Sequence, residues 1–165
     1  DRSRGLGDVY KRQKFAEENG MEPIRISQIN YSLAHSSVET FGDNTLVCMD
    51  TKEFRWYKKH DFPVMAFSPQ AKGFFAKLAK GDAANNLPEG QYAGPANLAR
   101  LAKVKQLSEQ TGDTPAKITL GYLNSQPFFV SSVFAVTKLW QLDEDMEAQD
   151  LTYDPKTVAF LENMI

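Results

Sequence analysis

Pro63-Val-Met-Ala-Phe-Ser-Pro-Gln-Ala-Lys-Gly-Phe-Phe75 carries a short apolar run that ends in Phe67. Ser68 and Pro69 stop the strand pattern there, because proline has no N–H to give to a sheet ladder. A small-residue loop, Gln70-Ala71-Lys72-Gly73, leads to apolar Phe74 and Phe75, which open a short helix. Such a stretch reads as a buried strand that delivers an aromatic ring and a set of backbone N–H groups to one end of a sheet. A flat ring plus an anion suits that place.

The flanks repeat the alternation of strand and helix. Lys14–Asn19 reads as the last turns of a helix, with Gly20 just past its end. Pro23–Asn30 is a strand candidate, and residues 31–50, rich in Ser, Asn and Gly, read as a long loop. Thr51 is placed to cap a helix reaching about His60 that carries Phe54, Trp56 and Tyr57. Gly81–Gly94, with Asn85-Asn86 and Pro88, reads as a surface loop. Asn97–Gln110 shows Leu98, Leu101, Val104 and Leu107 at helical spacing, and Gly112 ends it. Thr114-Pro115 has the cap-then-proline order of a helix start. Phe128–Ala135 is a third strand candidate; Thr137 is placed to cap a helix to about Ala148, and Asp154-Pro155 opens a last one carrying Val158, Leu161 and Ile165. This order predicts a parallel α/β architecture. It does not separate an open doubly wound sheet from a closed barrel.

Composition narrows the function classes. The 165 residues hold 19 basic and 21 acidic side chains, net −2. Four of the basic ones (Arg2, Arg4, Lys11, Arg12) lie in the first thirteen residues, so the remainder is more acidic still. That balance predicts neither nucleic-acid nor membrane partners. The single cysteine, Cys48, forms no internal disulfide and fits a reducing cytoplasm. No apolar run approaches the roughly 20 residues of a membrane helix. Ser3–Gln13 is identified as the in-frame translation of a transposase sequencing adapter, so residues 1–13 are expected to be non-native and 14–165 to be the protein.

Four motifs in register carry a resemblance to the aldo-keto reductases. Ile26-Ser-Gln-Ile-Asn-Tyr31 is similar to the family's sixth-strand motif, and Phe67-Ser-Pro-Gln-Ala-Lys-Gly73 to its seventh-strand Tyr-Ser-Pro-Leu-(Ala/Gly)-x-Gly. Thr114-Pro-Ala-Lys-Ile-Thr-Leu-Gly-Tyr-Leu123 resembles the family helix Thr-Pro-Ala-Gln-(Val/Leu)-Ala-Leu-x-(Trp/Tyr)-Leu. Phe129–Asp145 follows its last strand and the helix that contacts adenine. The resemblance implies a (β/α)8 barrel, which needs about 250 residues. This chain then corresponds to the C-terminal half of such a TIM barrel, with about three parallel strands. Its first and last strands are expected to expose unpaired edges.

The implied function is reduction of aldehydes or ketones, or oxidation of alcohols, with NADP and with NAD possible, on a small carbonyl substrate. Gln28 is implied to hold the nicotinamide carboxamide as a buried amide, and Phe67, in place of the usual Tyr, to stack on the nicotinamide ring. Ser68, Gln70 and Lys72 are implied in the pyrophosphate loop. Lys138, Gln141, Glu144 and Asp145 fall at the adenosine end, where Trp140 is placed to cover adenine. This end departs from the family. Ala135 and Thr137 stand where members carry the basic residues that hold the 2′-phosphate, Lys138 is displaced by one, and Asp145 replaces an Asn. The family's Asp, Tyr, Lys and His tetrad lies on earlier strands, so no catalytic residue is assigned and the piece alone is predicted inactive. No metal-ligand spacing is present, and Cys48, His35 and His60 have no nucleophile pattern around them. Two alternatives stand beside this reading: a non-catalytic NADP(H)-binding regulatory relative of the same fold, and a cofactor-free α/β interaction module.

Overall fold

A computed structural model describes residues 6–43, 45–81 and 90–162. Three parallel strands form its sheet in the order β1 (Ser27–Asn30), β2 (Val64–Phe67), β3 (Val130–Val133). Helix α1 (Leu6–Glu18) precedes β1; α2 (Val38–Phe41) and α3 (Thr51–His60) separate β1 from β2. After β2 come α4 (Phe74–Ala79), α5 (Pro95–Thr111) and α6 (Pro115–Asn124); α7 (Leu139–Glu147) and α8 (Pro155–Glu162) follow β3. Parallel neighbours require such crossovers.

The register explains which sheet face is filled. Ile29, Ala66 and Ser132 lie side by side, as do Ser27, Val64 and Val130. On this face Ile29, Val64 and Ala66 are buried in a cluster with Tyr57, Ile118, Tyr122, Leu123 and Phe128. Side chains alternate along a strand, so Gln28, Met65 and Ser131 share the opposite face with Phe67 and Val133. That face is only partly covered among the described residues: Gln28 is exposed and Val133 is 38 % exposed.

Several boundaries differ from the sequence reading. Strand β1 starts at Ser27 rather than Pro23, and the Ile24 carbonyl instead accepts from Gln13 Nε2 at 2.6 Å. Its edge is not wholly unpaired: Asn30 N donates to Val47 O and accepts on its own carbonyl from Met49 N, both at 2.8 Å. The long loop contains α2, capped by Ser37. Asp50, not Thr51, caps α3, because its Oδ1 accepts from Glu53 N at 2.7 Å. Helix α5 begins at Pro95. Lys138, not Thr137, is the N-cap residue of α7, where Gln141 Oε1 accepts from both their backbone N–H groups at 3.0 Å. Of the loop expected over Gly81–Gly94, residues 82–89 lie outside the described residues, as does Ile165. Helix α1 runs without a break through residues 6–13 into 14–18.

The Thr114-Pro115 start is as expected: Thr114 Oγ1 accepts from Lys117 N at 3.3 Å and Pro115 opens α6. Thr114→Ala is expected to cost about 1 kcal/mol, the usual worth of such a cap. A urea denaturation midpoint measures it.

Candidate functional site

A cleft of about 880 Å³ opens between the loop after β2, helix α4, the N-terminus of α6 and the segment from Val133 into α7. Its form follows from the residues after Phe67. Ser68, Ala71 and Lys72 all take left-handed backbone conformations, with φ of +52°, +49° and +55°. A non-glycine residue pays about 1–2 kcal/mol for that geometry. Gly73 follows at φ +78°, where glycine meets no such cost. The strain is held by Ala71 N donating to Ser68 O at 2.8 Å and Gly73 N to Gln70 O at 2.9 Å. Phe74 and Phe75, each 1 % exposed, anchor the far end, each contributing roughly 1.5–3 kcal/mol. Backbone strain that the surrounding packing enforces is a mark of functional loops.

The structure gathers six of the nine expected site residues around this cleft: Ser68, Gln70, Lys72, Gln141, Glu144 and Asp145. Trp140 lines it too. Gln70 Nε2 donates to Asp145 Oδ1 at 2.6 Å, joining the strained loop to α7 across 75 residues of sequence. Asp145 is 4 % exposed, and its Oδ2 has no hydrogen-bond partner among the described residues. Gln141 is partly committed, since its Oε1 caps α7.

Three expected residues fall elsewhere. Lys138 is exposed at the start of α7 and does not line the cleft. Phe67 ends β2 half-buried on the incompletely covered sheet face. Gln28 is on that same face and is exposed, not a buried amide. The reason is topological: β1 is an edge strand, and the described residues cover that face only in part. The sequence reading missed Lys77 and Lys80, which line the cleft from α4. Their spacing on the helix that follows the loop was the available signal. Lys80 Nζ lies 5.3 Å from the centre of the Trp140 ring, across the cleft.

The residue types of the sequence-read motifs thus converge from three separate segments, and the whole chain can be compared with known proteins. The sequence model of the aldo/keto reductase family matches residues 12–165. This chain belongs to the aldo/keto reductase family. A solved thermostable aldo-keto reductase, crystallised in complex with the inhibitor epalrestat, is similar in fold, with a TM-score of 0.56 at 15 % identity. The match covers 90 % of this aldo/keto reductase chain and 43 % of that one, so the chain spans less than half its length. The three parallel strands are accordingly part of a (β/α)8 barrel.

Electrostatics divides the cleft of this family member into two walls. Lys72, Lys77 and Lys80 stand on the α4 side, and Glu144 and Asp145 on α7. Burial pushes the Asp145 carboxyl above the usual range, and the hydrogen bond from Gln70 offsets part of that. A carboxyl whose pKa is raised on folding holds its proton more readily in the folded state. It therefore subtracts stability at neutral pH, and that loss fades as pH falls through the raised value. Asp145→Asn keeps an oxygen for Gln70 and removes the buried charge. The variant is expected to melt higher than wild type at pH 7, with the gap closing towards pH 4; thermal melts across that range check it.

Cys48 is buried, and burial pushes its thiol up, away from the thiolate that reactivity needs. His60 stacks on Trp56 at 4.4 Å and its Nδ1 lies 2.8 Å from the Trp56 carbonyl oxygen, an arrangement that secures the end of α3. Among the described residues no group of His, Cys, Asp and Glu is arranged to hold a metal ion, and no helix is long and apolar enough to cross a membrane.

Proposed function

We propose that this chain supplies the nicotinamide-cofactor grip of an oxidoreductase that reduces aldehydes or ketones, or oxidises the corresponding alcohols. The observation that supports it best is the strained loop Ser68–Gly73 on a cleft whose other wall carries Gln141, Glu144 and Asp145. The residues present fit a dinucleotide. A run of left-handed residues makes a backbone concavity of the kind that suits a pyrophosphate, with Ala71 N and Gly73 N spent inside the loop. Ser68 adds a hydroxyl and Lys72 a charge at the same loop. Trp140, 53 % exposed, offers a ring face for a base. Asp145 Oδ2 offers an acceptor that has no partner among the described residues.

In this reading the bound cofactor supplies the hydride. Phe67 and Gln28, on adjacent strands of the incompletely covered face, would orient the nicotinamide end, Phe67 by its ring and Gln28 by its amide. Exposed Gln28 becomes useful there once that face is covered by the rest of a barrel. The proton donor to the carbonyl oxygen lies outside this chain, so residues 14–165 alone are inactive and the small carbonyl substrate meets its catalytic groups on other strands. A cytoplasmic location, consistent with the single buried Cys48, completes the proposal.

Titration with NADPH and NADH, followed by quenching of tryptophan emission, tests it. Saturable quenching by at least one cofactor is the expected result. Emission unchanged by either at millimolar concentration would instead favour a cofactor-free interaction module.

A further inference from the structure

Asn30 ends β1 on the sheet face that also carries Gln28, and in register it stands beside Phe67. Unlike Gln28 it is buried, at 2 % exposure. A buried amide must spend its polar groups. Ser36 Oγ donates to Asn30 Oδ1 at 2.8 Å, which fixes the way the amide faces. Asn30 Nδ2 is thereby turned to the Phe67 carbonyl, to which it donates at 3.4 Å. Tyr31 N donates to the same oxygen, also at 3.4 Å. Both bonds are long, and together they use the two lone pairs of one carbonyl. That carbonyl belongs to the peptide joining Phe67 to Ser68, where the chain leaves the strand for a left-handed φ of +52°. Such a residue keeps its conformation only where its surroundings enforce it. Ala71 N holds the far side, at Ser68 O, and Asn30 holds the near side.

We infer that Asn30 is a positioning residue for the nicotinamide end of the cofactor: it fixes the Phe67–Ser68 peptide and, with it, the place of the Phe67 ring. The inference rests on the cofactor reading above and goes beyond it. Asn30 is too deeply buried to be a ligand itself, so it acts through Phe67. Its amide is set by Ser36, and its backbone pairs with Val47 and Met49, so the ring is tied to the segment that follows β1.

Isothermal calorimetry with NADPH and NADH, each against the same molecule without its nicotinamide (2′-phospho-ADP-ribose and ADP-ribose), tests the assignment. Wild type is expected to bind the complete dinucleotide about fivefold more tightly than its truncated form, the order of one ring stack. Asn30→Leu nearly keeps the volume and removes the donor. It is expected to erase most of that factor while the truncated ligand stays within about twofold of wild type. A merely structural role would weaken both ligands alike. Phe67→Leu removes the ring, and adding Asn30→Leu to it is expected to change neither affinity further, because the two residues act as one unit. Should Asn30→Leu not fold, Ser36→Ala decides in its place. It leaves the amide without the donor that fixes it, and the same selective loss is expected at about twofold. Equal weakening of complete and truncated ligands, an unchanged ratio between them in the deciding variant, a further drop on adding Asn30→Leu to Phe67→Leu, or no preference of wild type for the complete dinucleotide would overturn the assignment while leaving the grip at Ser68–Gly73 standing. Failure of wild type to bind any of these ligands would overturn the cofactor reading and this assignment with it.

Discussion

Asn97→Ala is expected to destabilise the protein by about 2–4 kcal/mol. Asn97 is 3 % exposed at the start of α5. Its Nδ2 donates to the His35 carbonyl at 2.7 Å and to the Tyr92 carbonyl at 2.9 Å. Its Oδ1 accepts from His35 N at 2.9 Å and from Arg100 Nη1 at 3.2 Å. One amide therefore clasps the chain after β1, the turn holding buried Tyr92, and its own helix. Alanine leaves the backbone groups of His35 and Tyr92 without that partner. Each such loss costs about 1 kcal/mol net, and more where the group stays buried. Asn97→Asp separates the two halves of the clasp, since it keeps the acceptor and removes both donors. It also sets a buried carboxylate oxygen against the His35 and Tyr92 carbonyl oxygens, and is expected to cost at least as much as alanine. Urea unfolding of the three proteins gives the order; a loss below about 0.5 kcal/mol for alanine would mean water replaces the clasp at little cost.

Gly121→Val is expected to be worse, costing about 3 kcal/mol or more and leaving little folded protein at 37 °C. A Cβ on Gly121 would stand 2.8 Å from Tyr153 Cε2 and 2.9 Å from Leu151 Cγ, closer than carbon atoms approach. The opposing segment cannot step back. Asn124 Nδ2 donates to the carbonyls of Ala148, Gln149 and Leu151, at 2.9, 3.2 and 3.1 Å. Ser125 Oγ donates to the Gly121 carbonyl and accepts from Tyr153 N, both at 2.6 Å. Helix α6 is thus tied to the chain between α7 and α8 at the very place where valine would push it away. Gly121→Ala carries the first methyl alone and is expected to cost about 1–3 kcal/mol. Circular dichroism melts order the series; a valine variant that melts within a few degrees of wild type would show that the segment yields.

The two variants mark what a linear sequence discloses. The cap at Thr114, the proline at Pro115 and the glycine just past α5 are local signals, readable because a helix start or stop is decided by neighbours. The Ser68–Gly73 loop was readable for the same reason. Gly121 was visible only as the variable position of a family helix. Its need for a bare Cα comes from Tyr153, 32 residues on. The Gln70–Asp145 bond is equally hidden, and so is the sharing of one cleft by Lys80 and Trp140. Gln28 shows the opposite failure. An apolar neighbourhood in sequence promised burial, but burial depends on which layer covers that face of the sheet. Periodicity names a face; topology decides what lies over it.

The central claim is that the loop Ser68–Gly73 and helix α7 hold a nicotinamide dinucleotide between them. Backbone amide chemical shifts, recorded before and after addition of NADPH, address it most directly. The largest changes are expected to cluster at residues 68–73 and 140–145, with those of α1 and α5 nearly still. Changes centred anywhere else, or none at saturating cofactor, would contradict it.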